Sequence, residues 1–116
     1  MIEKTVIDYL NTKLDVTAYP QIPDRNIPAS FVLVEKTGSS EKNYIETATI
    51  AIQSYAARIY DAMLLNEDVK SAMRDITAFT GVSHCGLVSD YNYSDAEKKK
   101  YRYQAVFQLA FVREEN

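Results

Sequence analysis

Cysteine occurs once, at Cys85, which leaves no partner for an internal disulfide and too few thiolates for a multi-cysteine zinc or iron–sulfur site. An oxidising compartment is therefore not implied. Histidine also occurs once, at His84, so any Ser-His or Cys-His nucleophile pair would have to use that residue. Only three glycines are present, and none forms a Walker loop, a dinucleotide fingerprint or a calcium loop, which argues against a nucleotide-binding enzyme. No apolar run exceeds four residues, as in Phe31-Val32-Leu33-Val34, far short of the ~20 that span a bilayer. The opening Met1-Ile2-Glu3-Lys4-Thr5-Val6 lacks the apolar centre of a signal peptide. The expectation is a soluble protein made in the cytoplasm, with no membrane partner.

The 116 residues are 47% hydrophobic and 25% charged, which suits one globular domain over 1–116 with a core that needs no disulfide or structural metal. A formal charge of −3 gives no global positive field to draw the chain onto nucleic acid, although a local basic patch is still allowed.

Apolar Ile2, Val6, Ile7, Leu10 and Leu14 fall on one face of a helix, with Glu3 in its first turn and Lys13 in its last, as the helix dipole favours. Pro20, Pro23 and Pro28 make residues 20–29 an extended loop, with a short strand over Thr17–Tyr19 before it. Phe31–Lys36 reads as a strand covered on both faces, ended by a turn at Gly38-Ser39-Ser40. Residues 45–55 alternate, with Ala48, Ile50 and Ile52 opposed to Thr47, Thr49 and Gln53. That pattern predicts a half-buried strand in an antiparallel hairpin, joined through a longer-than-minimal loop containing Gly38. From Ala56 the period becomes helical through Ile76. The apolar stripe shifts near Asn66, where Asn66-Glu67-Asp68 resembles a new helix start, so one long helix and two bent ones are both open. Val82–Ser89 is a weaker strand interrupted by Gly86, and Tyr101, Tyr103, Ala105, Phe107, Leu109 and Phe111 alternate along a long amphipathic strand after a hairpin tip at 90–98. The expected fold class is α+β, a mainly antiparallel sheet packed with an N-terminal helix and a central helix.

Chemistry is sparse. His84 and Cys85 would point to opposite faces of a strand, and Cys85 reads as a small buried hydrophobe. Asp61 with Asp68, or Asp90 with Asp95, offers a carboxylate pair for octahedral magnesium, against the plainer reading of solvated acids. No cofactor is expected. Nine tyrosines are unusual, and Tyr91, Tyr93, Tyr101 and Tyr103 gather around one hairpin with Lys98, Lys99, Lys100 and Arg102. Tyrosine and arginine are enriched where proteins pack together, which makes Tyr91, Tyr93, Lys98, Lys99, Lys100 and Arg102 a candidate protein-contact surface. Cross-strand aromatic pairing beneath a charged hairpin tip is the alternative.

The opening helix leads to Tyr19-Pro20 and Ile27-Pro28-Ala29-Ser30-Phe31-Val32-Leu33-Val34. Thr47-Ala48-Thr49-Ile50-Ala51-Ile52-Gln53-Ser54-Tyr55-Ala56 follows, and then a helix with Ala62-Met63-Leu64-Leu65 and Val69-Lys70-Ser71-Ala72-Met73. Over nearly its whole length this order resembles the small tail-terminator proteins (tail-completion or minor capsid proteins) of long-tailed bacteriophages and prophages. The resemblance implies a single structural domain over 1–116 and a homo-oligomeric ring, commonly hexameric. Such a ring caps the finished tail tube, joins a head-completion protein and passes DNA through its lumen. It also implies residence in the bacterial host cytoplasm during assembly, then in the virion tail or neck. It carries over no catalytic residue. Ring closure needs a heterologous interface, and polar loops at 37–43 and 90–100 are the candidate contact regions. Three other readings stay open: another neck or tail-assembly component such as a head-completion protein or chaperone, a small metal-dependent hydrolase, and a cytosolic regulatory binding module.

Overall fold

The computed structural model describes residues 1–95 and 100–112. In chain order the elements are α1 (Ile2–Lys13), β1 (Ala18–Tyr19), β2 (Phe31–Lys42), β3 (Ile45–Ala56), α2 (Ile59–Arg74), α3 (Ile76–Phe79), β4 (Val82–Asn92) and β5 (Tyr101–Val112). One five-stranded sheet has the order β1-β2-β3-β5-β4. Every pairing is antiparallel except β1 with β2. This is the α+β class expected from the periodicities, with helices on one face of the sheet. No helix among the described residues is long and apolar enough to cross a membrane.

The helix-facing side of the sheet carries Val32, Val34, Ala48, Ile50, Ile52, Ala105, Phe107 and Leu109, all buried against Val6 and Leu10 of α1 and Leu65, Val69 and Met73 of α2. Period-2 alternation in the strands and period-3.6 spacing in the helices meet in one core. The Tyr9 hydroxyl donates to the Ala72 carbonyl and ties α1 to α2. Phe79 stacks on Tyr9 with centroids 6.1 Å apart, and the Lys13 ammonium lies 3.7 Å from the Phe79 centroid. Asn11 explains the two-residue β1: its Oδ1 accepts from the Ala18 amide at 2.8 Å, where a neighbouring strand's carbonyl would otherwise be needed.

Several expectations need correction. Gly38-Ser39-Ser40 is no turn: β2 runs straight through it, with one residue bulged between Lys36 and Gly38. The turn lies at Asn43-Tyr44, between paired Lys42 and Ile45, with φ of 53° and 68°. Positive φ at both central residues defines the two-residue type I′ hairpin, so the loop is minimal and residues 37–42 belong to a strand rather than a tip. Asparagine tolerates this region through its short polar side chain, whereas tyrosine there costs about 1 kcal/mol. Secondly, β3 is not half-buried along its length. Ala51, Gln53 and Tyr55 on the face away from the helices are buried as well. Thirdly, β3 continues to Ala56, and the central helix starts only at Ile59. Of the two readings left open for the central helix, the single helix holds through Asn66. The inward stripe is Ala62, Leu65, Asn66, Val69 and Met73, while Tyr60, Met63 and Leu64 face outward. A polar residue continues the stripe because the Asn66 amide reaches Asp90 of β4 at 3.4 Å. The break comes at Asp75, where α3 begins.

β4 runs unbroken past Gly86. Its two register shifts bulge Ser83 and Val88 instead.

Ser54 lies on the helix-facing side, fully buried, and its hydroxyl has no hydrogen-bond partner among the described residues. A buried hydroxyl without a partner costs desolvation that nothing returns. Ser54→Ala should therefore raise stability by up to about 1 kcal/mol. The check is a higher urea midpoint with an unchanged slope; a lower midpoint would show that the hydroxyl is satisfied.

Candidate protein-contact face

On the sheet face away from the helices, register places Phe31 of β2 opposite Tyr55 of β3, and Tyr55 opposite Arg102 of β5. The result is a row of rings and one guanidinium crossing all five strands. Tyr19 of β1 meets Phe31 edge-on at 6.2 Å, and Phe31 stacks on Tyr55 at 4.6 Å with planes 8° apart. The Arg102 guanidinium lies 5.5 Å from the Tyr55 centroid and 4.5 Å from that of Tyr93, and Tyr93 packs edge-on against Tyr91 at 5.9 Å. Aromatic pairs and cation–π contacts of this geometry each contribute about 0.5–1.5 kcal/mol.

A polar relay runs beside the row. Arg102 donates from Nη1 to the Tyr55 hydroxyl at 2.6 Å and from Nε to the Tyr93 carbonyl at 2.7 Å. The Tyr55 hydroxyl donates to Gln53 Oε1 at 3.1 Å, Gln53 Nε2 donates to Gln104 Oε1 at 2.8 Å, and Gln104 Nε2 donates to the Tyr91 hydroxyl. A guanidinium has no acceptor, so Arg102 fixes the direction of every bond that follows. Tyr55 receives and must pass its proton on, which orients Gln53, which orients Gln104. Tyr91 is left receiving at its oxygen with its own proton turned outward, on a side chain 42% exposed.

Tyr91, Tyr93 and Arg102, three of the expected contact residues, thus assemble on one face. Lys100 sits exposed at the start of the hairpin, its backbone bridged to Asp95. Lys98 and Lys99 lie outside the described residues. Tyr101 and Tyr103 do not join the group, since they pair with Ala56 and Ser54 and so project to the helix side. Among the described residues no carboxylate lies within ion-pairing distance of Arg102 or Lys100. Sequence reading missed Tyr19, Phe31, Gln53, Tyr55 and Gln104. Their signal was parity: odd positions of 45–55 and even positions of 101–112 share a face once the turn is placed at Asn43-Tyr44.

The catalytic candidates separate. His84 pairs with Ala110 on the outer face and Cys85 with Leu109 on the inner one. Burial pushes the Cys85 thiol up to about 11, so it stays protonated at neutral pH. Asp90 is held by Asn66 and by the Lys70 ammonium at 3.3 Å. Lys70 also reaches Glu67 at 2.9 Å, and that hydrogen bond leads in raising its pKa above the ordinary lysine value. Among the described residues no three His, Cys, Asp or Glu side chains gather where a metal ion would sit.

Comparison with protein-family models finds no match for the chain, and comparison with curated proteins finds none either.

Two outcomes follow. Gln53→Leu strands the buried Gln104 oxygen and should cost about 1–3 kcal/mol, whereas Gln53→Leu with Gln104→Leu should cost clearly less than the two single changes together. A strictly additive double-mutant cycle would mean that the two amides are not coupled. Alkylation of Cys85 at pH 8 should run about 100-fold slower than for a thiol of pKa 9.0. Its rate should climb about tenfold per pH unit toward pH 11; a plateau below pH 9 would refute the burial argument.

Proposed function

We propose that this chain is a structural subunit that closes into a ring on the finished tail tube of a long-tailed phage or prophage. There it stops tube growth and gives the head its joining surface. The observation that carries the reading is the outer-face row. Five strands hold Tyr91, Tyr93 and Arg102 in fixed geometry, with a guanidinium and a lysine lacking carboxylate partners among the described residues. A preorganised aromatic and basic surface of this kind binds a protein without the ordering cost that a loop would carry. The order of elements along the chain adds the resemblance to tail terminators. On this reading the subunit works by steric and electrostatic complementarity and uses no cofactor. Its neighbours are further copies of itself, the tail tube protein and a head-completion protein, and DNA crosses the ring without sequence readout. It acts in the bacterial cytoplasm and then in the neck of the virion.

The test is electron microscopy of tails assembled with and without the chain. Tubes of uniform length bearing an extra terminal ring only when the protein is present are the expected result. Tubes already uniform and capped without it would transfer the role to another neck component. In the same assay, charge reversal at Lys98, Lys99 and Lys100 should reduce head joining severalfold while leaving the thermal transition in place, and unaffected joining would remove the hairpin from the contact surface.

A further inference from the structure

β1 covers β2 only at Val32 and Leu33. From Glu35 to Ser40 that margin of β2 has no neighbouring strand among the described residues, and every residue of 35–42 is exposed. Backbone direction alternates along a strand, and the Val32 amide, which donates to the Thr17 carbonyl at 3.1 Å, marks the residues turned to this margin. Lys36 shares its direction, while Glu35 points its backbone groups at β3. The bulge squeezes Thr37 out of the ladder and resets the count, so that Gly38, Ser40 and Lys42 turn toward β3 and Ser39 and Glu41 toward the margin. Amides and carbonyls set along a margin in this way take one kind of occupant, a further extended strand.

The side chains say which strand. Glu35 and Lys42 lie on the outer face, opposite Ala51 and Ile45, and Lys36 and Glu41 on the helix side, opposite Ile50 and Glu46. With Thr37 left out, the ladder positions from Glu35 to Lys42 run acid, base, three small residues, acid, base. Turned end for end about Ser39, this order sets Glu35 opposite Lys42 and Lys36 opposite Glu41, each pair alike in face and in backbone direction.

We propose that this margin pairs with the same margin of a second copy of the chain, antiparallel about a two-fold axis at Ser39, so that two sheets become one. A slip of one position would set Glu35 against Glu41 or Lys36 against Lys42 and turn opposed side chains to different faces; a slip of two would leave no opposite charges facing. Edge charges and bulges ordinarily keep strands apart. Here both are symmetric about Ser39, so they exclude other strands and other registers and admit this one. Glu35 and Lys42 have no ion-pair partner among the described residues, whereas Lys36 lies 3.8 Å from Glu3, so the outer pair selects the register. The contact is isologous and closes at two copies, and it stands apart from the ring reading, which needs two different patches.

The test is sedimentation of the full chain over a concentration series, in which wild type should pass reversibly from one copy to two. Glu35→Lys alone and Lys42→Glu alone each set like charges opposite at both ends of the pair, so each should self-associate about tenfold more weakly. An equimolar mixture of the two variants, in which each outer facing is again acid to base, should recover the wild-type association. Ser39→Pro removes an amide that β3 does not use and puts a ring into the margin, and it should abolish pairing while the thermal transition stays close to that of wild type. Wild type sedimenting as a single copy up to millimolar concentration overturns the proposal, as does a dimer that the charge variants leave unchanged or a mixture that fails to recover. Should Ser39→Pro unfold the chain, the charge variants and their mixture decide alone.

Discussion

Which residues of β2 face which residues of β3 is decided by two local features, the two-residue turn at Asn43-Tyr44 and the bulge after Lys36. Strand side chains alternate with a period of two, so a slip of one residue would move every one of them to the opposite face. The observed pairing sets Val34 against Ile52 on the helix side and Phe31 against Tyr55 on the outer side. The bulge moves the inward positions of β2 from Val32, Val34 and Lys36 to Ser39 and Glu41. Beyond it, the hairpin faces outward with polar side chains wherever the helices no longer cover it. Core and contact face thus share one register, and neither forms correctly without the other.

The helices also reach the outer face indirectly. Lys70 and Asn66 of α2 grip Asp90, the last inward residue before Tyr91. Asp90 and Tyr91 lie on opposite sides of β4, so fixing one fixes the direction in which the other projects. Removing the grip would free the end of β4, and with it the terminal hydroxyl of the relay. A buried asparagine and an ion-paired lysine on the packing face of a helix thereby contribute to the orientation of a surface tyrosine. Their contribution to stability is secondary, because a paired charge of this kind gains little net free energy.

Long periodic segments were legible in the sequence. The helix-facing alternation of Tyr101 through Phe111, the stripe of α1 and the proline loop all appear where the residue pattern put them, and the α+β class follows from them. What escaped was set by tertiary context. Gly38 looks like a turn because glycine permits one, yet the turn was taken by an Asn-Tyr pair that no propensity favours at its second position. That single misplacement hid the facing of Phe31 and Tyr55, and with it half of the aromatic row. Asn66 looks like a helix start because asparagine caps helices, yet a partner on a distant strand let it stay inside one. The tyrosines clustered in sequence divide between two faces, since parity and not proximity decides where a strand residue points. Tyr91, Tyr93 and Arg102 were identifiable from residue type; the chain of bonds linking them to Gln53 and Tyr55 depended on a register that only the folded sheet supplies.

The outer border of β4 has a different significance. Among the described residues it is the long unpaired margin of the sheet, and it exposes Leu87 and Val88, the composition that invites another strand to add. Ser83 and Val88 are each extruded from the ladder, so the donors and acceptors along this margin fall out of even spacing twice within one strand. An incoming strand would find only short runs in step with it. The sheet is in this way protected from stacking sideways into fibrils and remains finite.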